Sequence, residues 1–228
     1  MPEVVNEERE QRILDAAVNL IVHYGYAKTT VEDIAREAGV SKGAIYLHYK
    51  SKDELFEQLL LRETGKVTEQ LYERIDADPG GITLFTIYRH SLLLVAENPL
   101  LRALYARDKR ILGDYLRKKN VAATLGQNHL FGTQFIKTFQ DAGLIRRDLR
   151  PEAIMYLLSS IRYGFLMVDD AIDIGETPSF DELGEAVSAL LEDGFAARGT
   201  GDQEKGRQAL LELLEYGRAA LRQLQHKD

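Results

Sequence analysis

The sequence predicts an all-α protein, and three observations carry that prediction. Apolar residues recur at helical spacing from end to end. Alternation of period two, the mark of strands, is almost absent. Helix caps and stops punctuate the chain: Thr30, Ser41 and Ser51 stand where caps belong, and Gly25, Gly39 and Gly143 where stops belong. The organisation that follows is a three-helix segment over 1–51, a connecting helix over 52–78 and a larger helical region over 79–228.

Each element has a local reason. Ile13, Ala16, Ala17, Leu20, Ile21 and Tyr24 form one face of a first helix, which Gly25 ends. Thr30 caps a short second helix, with Asp33 three residues on as the capping-box partner and Gly39 suited to the left-handed position past its end. Ser41 caps a third helix running to about Tyr49. Ser51 and Glu54 form another capping box and open the fourth, which buries Leu55, Phe56, Leu59, Leu60, Val67, Leu71 and Ile75. That helix is long enough to leave one domain and enter another. Asp78-Pro79-Gly80-Gly81 ends it. Beyond lie a helix over Ile82–Glu97, a break at Asn98-Pro99, and a short helix to about Arg107. A partly irregular helical stretch follows over Ile111–Ala142, with a break expected near Gly126. Pro151 opens a helix over Glu152–Ile172, and a loop at Gly175–Ser179 leads to one over Phe180–Ala197. A last amphipathic helix carries Leu210, Leu213, Leu214, Leu221 and Leu224.

Bulk properties narrow the function classes. The 228 residues hold no cysteine, which excludes a disulfide framework and a thiolate zinc site. The five histidines show no ligand spacing, and the acidic run Asp169, Asp170, Asp173 and Glu176 reads as a solvated loop or as arginine partners rather than a metal site. No metal and no cofactor is expected. The N-terminus lacks a basic-plus-apolar signal, and the longest apolar run, Ala153–Val168, is short for a membrane span and interrupted by Arg162. A cytoplasmic protein with no membrane partner is therefore expected. Net charge is −7, split as −1 over residues 1–52 and −6 over the rest. Within Ala38–Lys52 stand three lysines and no acid. A basic spot on an acidic body suits a sequence-reading contact and not a non-specific nucleic-acid coat.

Residues 29–56, TTVEDIAREAGVSKGAIYLHYKSKDELF, have the grammar of a helix-turn-helix. A helix that enters the major groove needs small residues at its start for close approach, and polar ones to reach bases and phosphates. Ser41-Lys42-Gly43-Ala44 meets this need. Lys42 can reach a guanine edge or a phosphate, Gly43 and Ala44 permit approach, and the Ala44 methyl can meet a thymine methyl. Ile45 and Tyr49 mark the buried side, while Tyr46 and His48 point toward the duplex backbone. Lys50 and Lys52 flank the next helix start, where backbone N–H groups also favour phosphate. Thr29 and Thr30 begin the second helix in the same way. The contact set is thus Thr29, Thr30, Ser41, Lys42, Gly43, Ala44, Tyr46, His48, Tyr49, Lys50 and Lys52. The competing reading is an ordinary capped helical hairpin, with His48 as a packing histidine. Two caps, a turn glycine, a lysine-only surface and a small-residue helix start together weigh against it.

The order T-T-V-x-D-I-A-x-x-A-G-V-S-x-G-x-I-Y-x-H-Y-x-S-K-x-x-L, from Thr29 to Leu55, resembles the N-terminal domain of the tetracycline-repressor (TetR) family. The preceding helix and its Tyr24-Gly25-Tyr26 ending fit the same resemblance, which covers about residues 10–60. It implies an all-helical homodimer with one reader per subunit and a divergent C-terminal region that binds a small-molecule effector and dimerises. By motif position the family's backbone-contacting tyrosine and histidine fall on Tyr46 and His48. Its fourth-helix lysine falls on Lys52, and its base-contacting positions on Lys42, Gly43 and Ala44. Tyr49 stands where the family often has phenylalanine. The implied function is a DNA-binding transcription regulator, a repressor that an effector releases from a pseudo-palindromic operator.

Two further surfaces are expected. The helix over Glu152–Ile172 is apolar nearly all round, and its successor carries a second stripe. Ile154, Leu158, Ile161, Phe165, Leu183, Val187, Leu190 and Leu191 are the expected dimer contacts, two helices from each subunit forming a four-helix interface. The alternative is a single monomeric core. Aromatic residues with a few cations suggest an effector site: Phe85, Tyr88, Arg89, Arg102, Tyr105, Phe131, Phe135 and Tyr163. For each of these taken alone, core packing is the simpler account. Two other functions fit the sequence less well. An enzyme lacks a paired nucleophile and base, a metal motif or a phosphate loop. An architectural DNA protein without an effector sits poorly with the acidic body and the specific-looking reader.

Overall fold

The computed structural model describes residues 2–118, 132–172, 175–176, 178–197, 201–202, 204–212 and 215. Among them there is no strand, only an isolated bridge between Ile145 and Ala196. The helices are α1 (Pro2–Tyr24), α2 (Val31–Ala38), α3 (Lys42–His48), α4 (Lys52–Asp76), α5 (Leu84–Glu97), α6 (Pro99–Ala106), α7 (Lys109–Leu112) and α8 (Tyr115–Lys118). A ninth helical stretch, α9, covers 132–141. Then come α10 (Pro151–Ala171) and α11 (Phe180–Phe195), and α12 over 204–212. No described helix is long and apolar enough to cross a membrane.

The packing divides the chain into two compact units. One comprises Met1–Thr64 with Pro99–Asn120, the other Gly65–Asn98 with Val121–Asp228. The 25-residue α4, about 37 Å long at 1.5 Å per residue, runs unbroken through the boundary.

In the first unit the expected caps form. Thr30 accepts from the Asp33 N–H at 3.1 Å, and the Asp33 carboxylate accepts from the Thr30 N–H at 3.2 Å. Gly39 closes α2 in the left-handed region (φ +65°), which glycine enters without a Cβ penalty. The Ser41 hydroxyl accepts from the Ala44 N–H at 3.1 Å. At the head of α4, Ser51 accepts from the Glu54 N–H at 3.1 Å, but the Glu54 carboxylate reaches past the cap to the Lys50 N–H. The apolar faces of the four helices supply the core: Ile13, Ala17 and Ile21 from α1, Ile34 and Ala35 from α2, Ile45 from α3, and Leu55, Phe56 and Leu59 from α4. Burying each large side chain is worth about 1.5–3 kcal/mol. The 8-residue α2 and 7-residue α3 depend on that packing rather than on intrinsic propensity.

The segment over 99–118 packs in this same unit. The Tyr26 N–H donates to the Ile111 carbonyl at 2.7 Å. The Tyr115 ring lies 4.5 Å from Phe56 and 5.5 Å from Tyr26 between centroids. The long helical stretch expected from Ile111 is broken at Gly113 (φ +51°), which ends α7 and separates it from α8. Gly126, where the break was expected, lies outside the described residues.

In the second unit a core of Ile75, Leu84, Phe85, Tyr88, Leu92, Ile136, Phe139, Ile154, Leu158, Leu191 and Leu210 gathers α4, α5, α9, α10, α11 and α12. The Tyr88 hydroxyl donates to the Leu158 carbonyl at 2.5 Å, pinning α5 to α10. The turn after α4 is held by Asp78, whose carboxylate accepts from Arg89 (2.5 Å) and the Gly80 N–H (2.8 Å) and meets His90 Nε2 at 2.6 Å.

Candidate nucleic-acid interface

The outward face of α3 follows from which of its residues the core claims. Within the helix only Ile45 is buried, and Tyr49 follows it inward just past the end. At about 100° per residue, Gly43 and Leu47 lie opposite Ile45, with Ala44 and Tyr46 on the flanks. Ser41, Lys42, Gly43 and Lys50 are exposed, Ala44 and His48 partly so, and Tyr46 is half exposed. Lys42 lies 3.7 Å from the Glu32 carboxylate. Both are well exposed, so this pair is worth little and exchanges readily for another anion. Gly43 has nothing nearer its Cβ direction than the Ser41 hydroxyl at 3.9 Å, so another surface can approach the backbone there.

Three expected contacts have inward roles instead. Tyr49 is buried, and its hydroxyl donates to the Glu10 carboxylate at 3.1 Å. Burial, with the Glu10 charge, pushes its phenol far above the ordinary range. Thr29 is buried too, and its hydroxyl donates to the Gly25 carbonyl at 2.9 Å, closing the α1–α2 turn. The Lys52 ammonium donates to the Tyr26 carbonyl (2.8 Å) and the Thr29 carbonyl (3.0 Å), and sits 4.1 Å over the Tyr26 ring. It fastens α4 to the α1–α2 turn. In each case a residue type suited to phosphate is used by a nearer backbone carbonyl or carboxylate. Thr30 stays exposed, but its hydroxyl donates to Asp33 at 2.6 Å as part of the cap. Hydrogen bonds from Thr30, then the Arg36 charge, hold the Asp33 carboxyl below its usual range.

One exposed residue stands outside the expected contact set. Leu47 is 84% exposed, more than any other large apolar side chain described. Between two polar candidates it reads as a packing residue. Its spacing of four from Gly43 and two from Ile45 is the signal that places it outward.

The expected effector residues do not form one group. Arg102 and Tyr105 belong to the first unit, whereas Phe85, Tyr88, Arg89, Phe135 and Tyr163 belong to the second. Phe131 lies outside the described residues. Phe85 and Tyr88 are core, and burial raises the Tyr88 phenol to about 12 against the opposing Arg162 charge. Arg89 is engaged by Asp78, and Tyr163 is half exposed. Phe135 is partly buried against the core and lies 4.3 Å from the Phe139 ring.

The expected dimer residues divide between core and surface. Ile154, Leu158 and Leu191 are buried in their own subunit's core, with Ile161, Phe165 and Val187 packed against it. Leu183 is partly buried, and only Leu190 of that set is exposed. The outer face of α10 instead carries Tyr156 (69% exposed), Leu157 and Tyr163. An apolar stripe read from sequence alone does not say which half faces inward. Among the described residues no three His, Cys, Asp or Glu side chains gather as a metal site would require.

Comparison with known proteins bears on this geometry. Residues 13–59, which hold α2, α3 and their flanks, match the family model for bacterial regulatory proteins of the tetR family. The chain is 26% identical over 174 residues to the HTH-type transcriptional regulator UidR of Escherichia coli K12, spanning 74% of this chain and 85% of that one. It is 25% identical over 171 residues to a protein of the same organism named "Probable acrEF/envCD operon repressor", spanning 68% and 73%. Among solved structures, the transcriptional regulator FadR of Bacillus subtilis in complex with stearoyl-CoA superposes with a TM-score of 0.57 at 23% identity, covering 81% of this chain and 98% of that one. A capped helix-turn-helix bearing the family's motif, set in an all-helical chain with this likeness to whole regulators, identifies the protein as a transcriptional regulator with a DNA-binding domain of the tetR family.

Proposed function

We propose that this regulator is a repressor: a homodimer that occupies a pseudo-palindromic operator and leaves it when a small molecule binds the C-terminal region. The observation that carries the reading is the outer face of α3, where Lys42, Gly43, Ala44, Tyr46 and Leu47 stand clear of the core on a helix that buries one residue. Residues 1–51 act as the reader, 52–78 as the connecting helix, and 79–228 as the effector-binding and dimerising region. Within that region, 99–118 is the part seated on the reader. Lys42 reads a base edge, Tyr46 and His48 grip phosphates, and Ser41, Thr30 and Lys50 line the approach. Thr29, Tyr49 and Lys52 position these groups from behind.

Dimerisation uses the outer faces of α10 and α11, through Tyr156, Leu157, Tyr163 and Leu190. It sets two readers at the separation of successive major-groove faces, roughly 34–36 Å. The effector acts by changing that separation. The chain crosses between its units at 64/65, within α4, and again at 98/99, so a shift in the second unit reaches the reader along these segments. The apolar core of the second unit and the stearoyl-CoA complex of the FadR relative make a long acyl thioester the first effector to try.

Selection of bound duplexes from random DNA tests the first half of the proposal. Titration of the selected duplex with and without stearoyl-CoA and shorter acyl-CoA thioesters tests the second. A palindromic site whose affinity falls tenfold or more with one of these ligands, a coupling of about 1.4 kcal/mol, is the expected result. A selected site without two-fold symmetry refutes the dimer arrangement, and affinity unchanged by every ligand tried refutes the acyl effector. Tyr46→Phe should weaken binding to matched and scrambled duplexes alike, since its expected partner is a phosphate. A loss confined to the matched site would move Tyr46 to the bases.

A further inference from the structure

We infer that Leu47 reads the operator directly: its isopropyl group seats against the 5-methyl of a thymine, fixing an A·T pair opposite the outermost line of α3. The inference rests on the DNA-reading function and deepens it.

A single exposed leucine on a protein surface needs no special account. This one differs in its place. Taking Ile45 as the inward direction, Gly43 and Leu47 lie at about 160° and 200°, so together they form the line farthest from the core. Helical side chains lean toward the N-terminus, which carries Leu47 back over the turn holding Gly43 and Ala44. Gly43 has no side chain and Ala44 only a methyl. Leu47 is therefore the tallest group on that line and has no neighbour there to share contact with. At 84% exposure nearly all of its apolar surface faces water in the free protein.

The chemistry of the occupant follows. On base edges in the major groove the donors and acceptors belong to all four bases, but the single apolar group is the thymine methyl. A leucine can gain nothing from a bare acceptor such as guanine O6 or N7, and would strand it without a hydrogen bond. Close approach of the backbone at Gly43 brings the leucine within reach of the base edges rather than of the sugar wall. Lys42 and Tyr46, beside it, have polar ends and suit base acceptors or phosphates. The helix thus carries one apolar probe among polar ones, and thymine is its match.

Uracil isolates the claim, because it removes the methyl and keeps the pairing. With the preferred duplex in hand, each thymine of one half-site and its symmetry mate is replaced by uracil. Affinity of the full-length protein is then measured for the native chain and for Leu47→Ala. At one symmetric position, loss of the methyl should weaken native binding roughly three- to tenfold, the scale expected for removing one or two buried carbon contacts. Leu47→Ala should bind the thymine duplex more weakly by a similar factor and be nearly indifferent to uracil at that position. Its thermal midpoint should match the native value, since the side chain is outside the core. In a repeated selection, Leu47→Gln should move the preference at that position from thymine toward adenine, whose N6 and N7 suit an amide. Native protein that keeps its sequence preference yet ignores uracil everywhere overturns the inference while the DNA-reading function stands. So does a Leu47→Ala variant that keeps full uracil sensitivity, or one that binds DNA as before but associates more weakly as a dimer. If no duplex sequence is selected at all, the reading function falls and this inference falls with it.

Discussion

Substituting Gly25 by alanine should destabilise the first unit far more than the same change at Gly39, although both glycines sit in the left-handed region, at φ +87° and +65°. An alanine held in that conformation costs about 1–2 kcal/mol, offset by about 0.4–1 kcal/mol through the reduced freedom of the unfolded chain. At Gly39 nothing lies within 4 Å of an added Cβ, so the net cost should stay near 1 kcal/mol. At Gly25 an added Cβ would stand 2.6 Å from the Arg110 carbonyl oxygen, a backbone atom that cannot swing away. Moving it means displacing α7, and overpacking of this kind costs about 1–3 kcal/mol. The 2.7 Å bond from the Tyr26 N–H to the Ile111 carbonyl would be stretched with it, for about 0.5–1.5 kcal/mol more. The expected difference between the two variants is therefore about 2–4 kcal/mol. Urea titration read at a probe in the first unit measures it, and avoids assuming that two units unfold as one. Equal destabilisation of the two variants, within about 0.5 kcal/mol, would refute the reasoning and mean that α7 is not seated on the α1–α2 turn.

Three other outcomes are expected. Tyr49→Phe should cost about 1 kcal/mol through loss of the bond to Glu10, with operator affinity nearly unchanged when measured under conditions where the variant is folded. A large affinity loss at unchanged stability would return Tyr49 to the DNA contacts. Asp78→Asn should destabilise the second unit by about 1.5–3 kcal/mol at neutral pH. Burial opposes ionisation of Asp78, but bonds from His90 and the Gly80 N–H, with the Arg89 charge, outweigh it and set its pKa below the ordinary 3.8. A lowered folded pKa gives stability that is present above the unfolded value and lost as pH falls through the folded one. The gap between native and variant melting points should therefore hold above about pH 4 and shrink below it; a gap independent of pH would contradict this. Leu190→Glu should convert the proposed dimer to a monomer in sedimentation without lowering the thermal midpoint of the subunit, as the side chain is 63% exposed; an unchanged dimer would place the interface elsewhere.

The reader was legible in the sequence because its signals are local. A cap and its partner are three residues apart, and a stop glycine sits next to the helix it ends, so Thr30, Asp33, Gly39, Ser41 and Ser51 could be read without tertiary knowledge. What could not be read is where a polar side chain goes when a nearer partner exists. Thr29, Tyr49 and Lys52 have the chemistry of phosphate contacts, but their partners are Gly25, Glu10 and Tyr26, up to 39 residues away in the chain. The same limit affects α10. Its apolar composition announces burial on two sides, yet only packing shows that Ile154 and Leu158 face the subunit's own core while Tyr156 and Leu157 face out. The aromatic set expected for an effector is divided for a further reason. Chain order says nothing of unit membership, and Arg102 and Tyr105 pack with the reader rather than with Phe85 and Tyr88.

That unit membership bears on how a signal would reach the DNA. Tyr26, just past the end of α1, is held by α4, α7 and α8 together. Its hydroxyl donates to Asp53 and its carbonyl accepts from Lys52, both in α4. Its N–H is bound to Ile111 in α7, and its ring meets Tyr115 of α8 and Phe56 of α4. Burial, then the Asp53 hydrogen bond and charge, keep its phenol protonated far past the ordinary range, so the donor is not lost at any physiological pH. A displacement entering along α4 therefore arrives at the same residue as one entering along 99–118. Because Thr29 closes that turn and Thr30 caps α2 immediately after it, movement of Tyr26 is passed to the helix against which α3 packs. A closely packed hub of this kind has few intermediate positions and shifts between arrangements rather than yielding gradually. On the proposed mechanism, loosening it from one side with Tyr115→Ala should lower operator affinity and also weaken the effect of the effector, since one of the two routes to Tyr26 is then slack. Lower affinity with full effector response would leave α4 as the sole route.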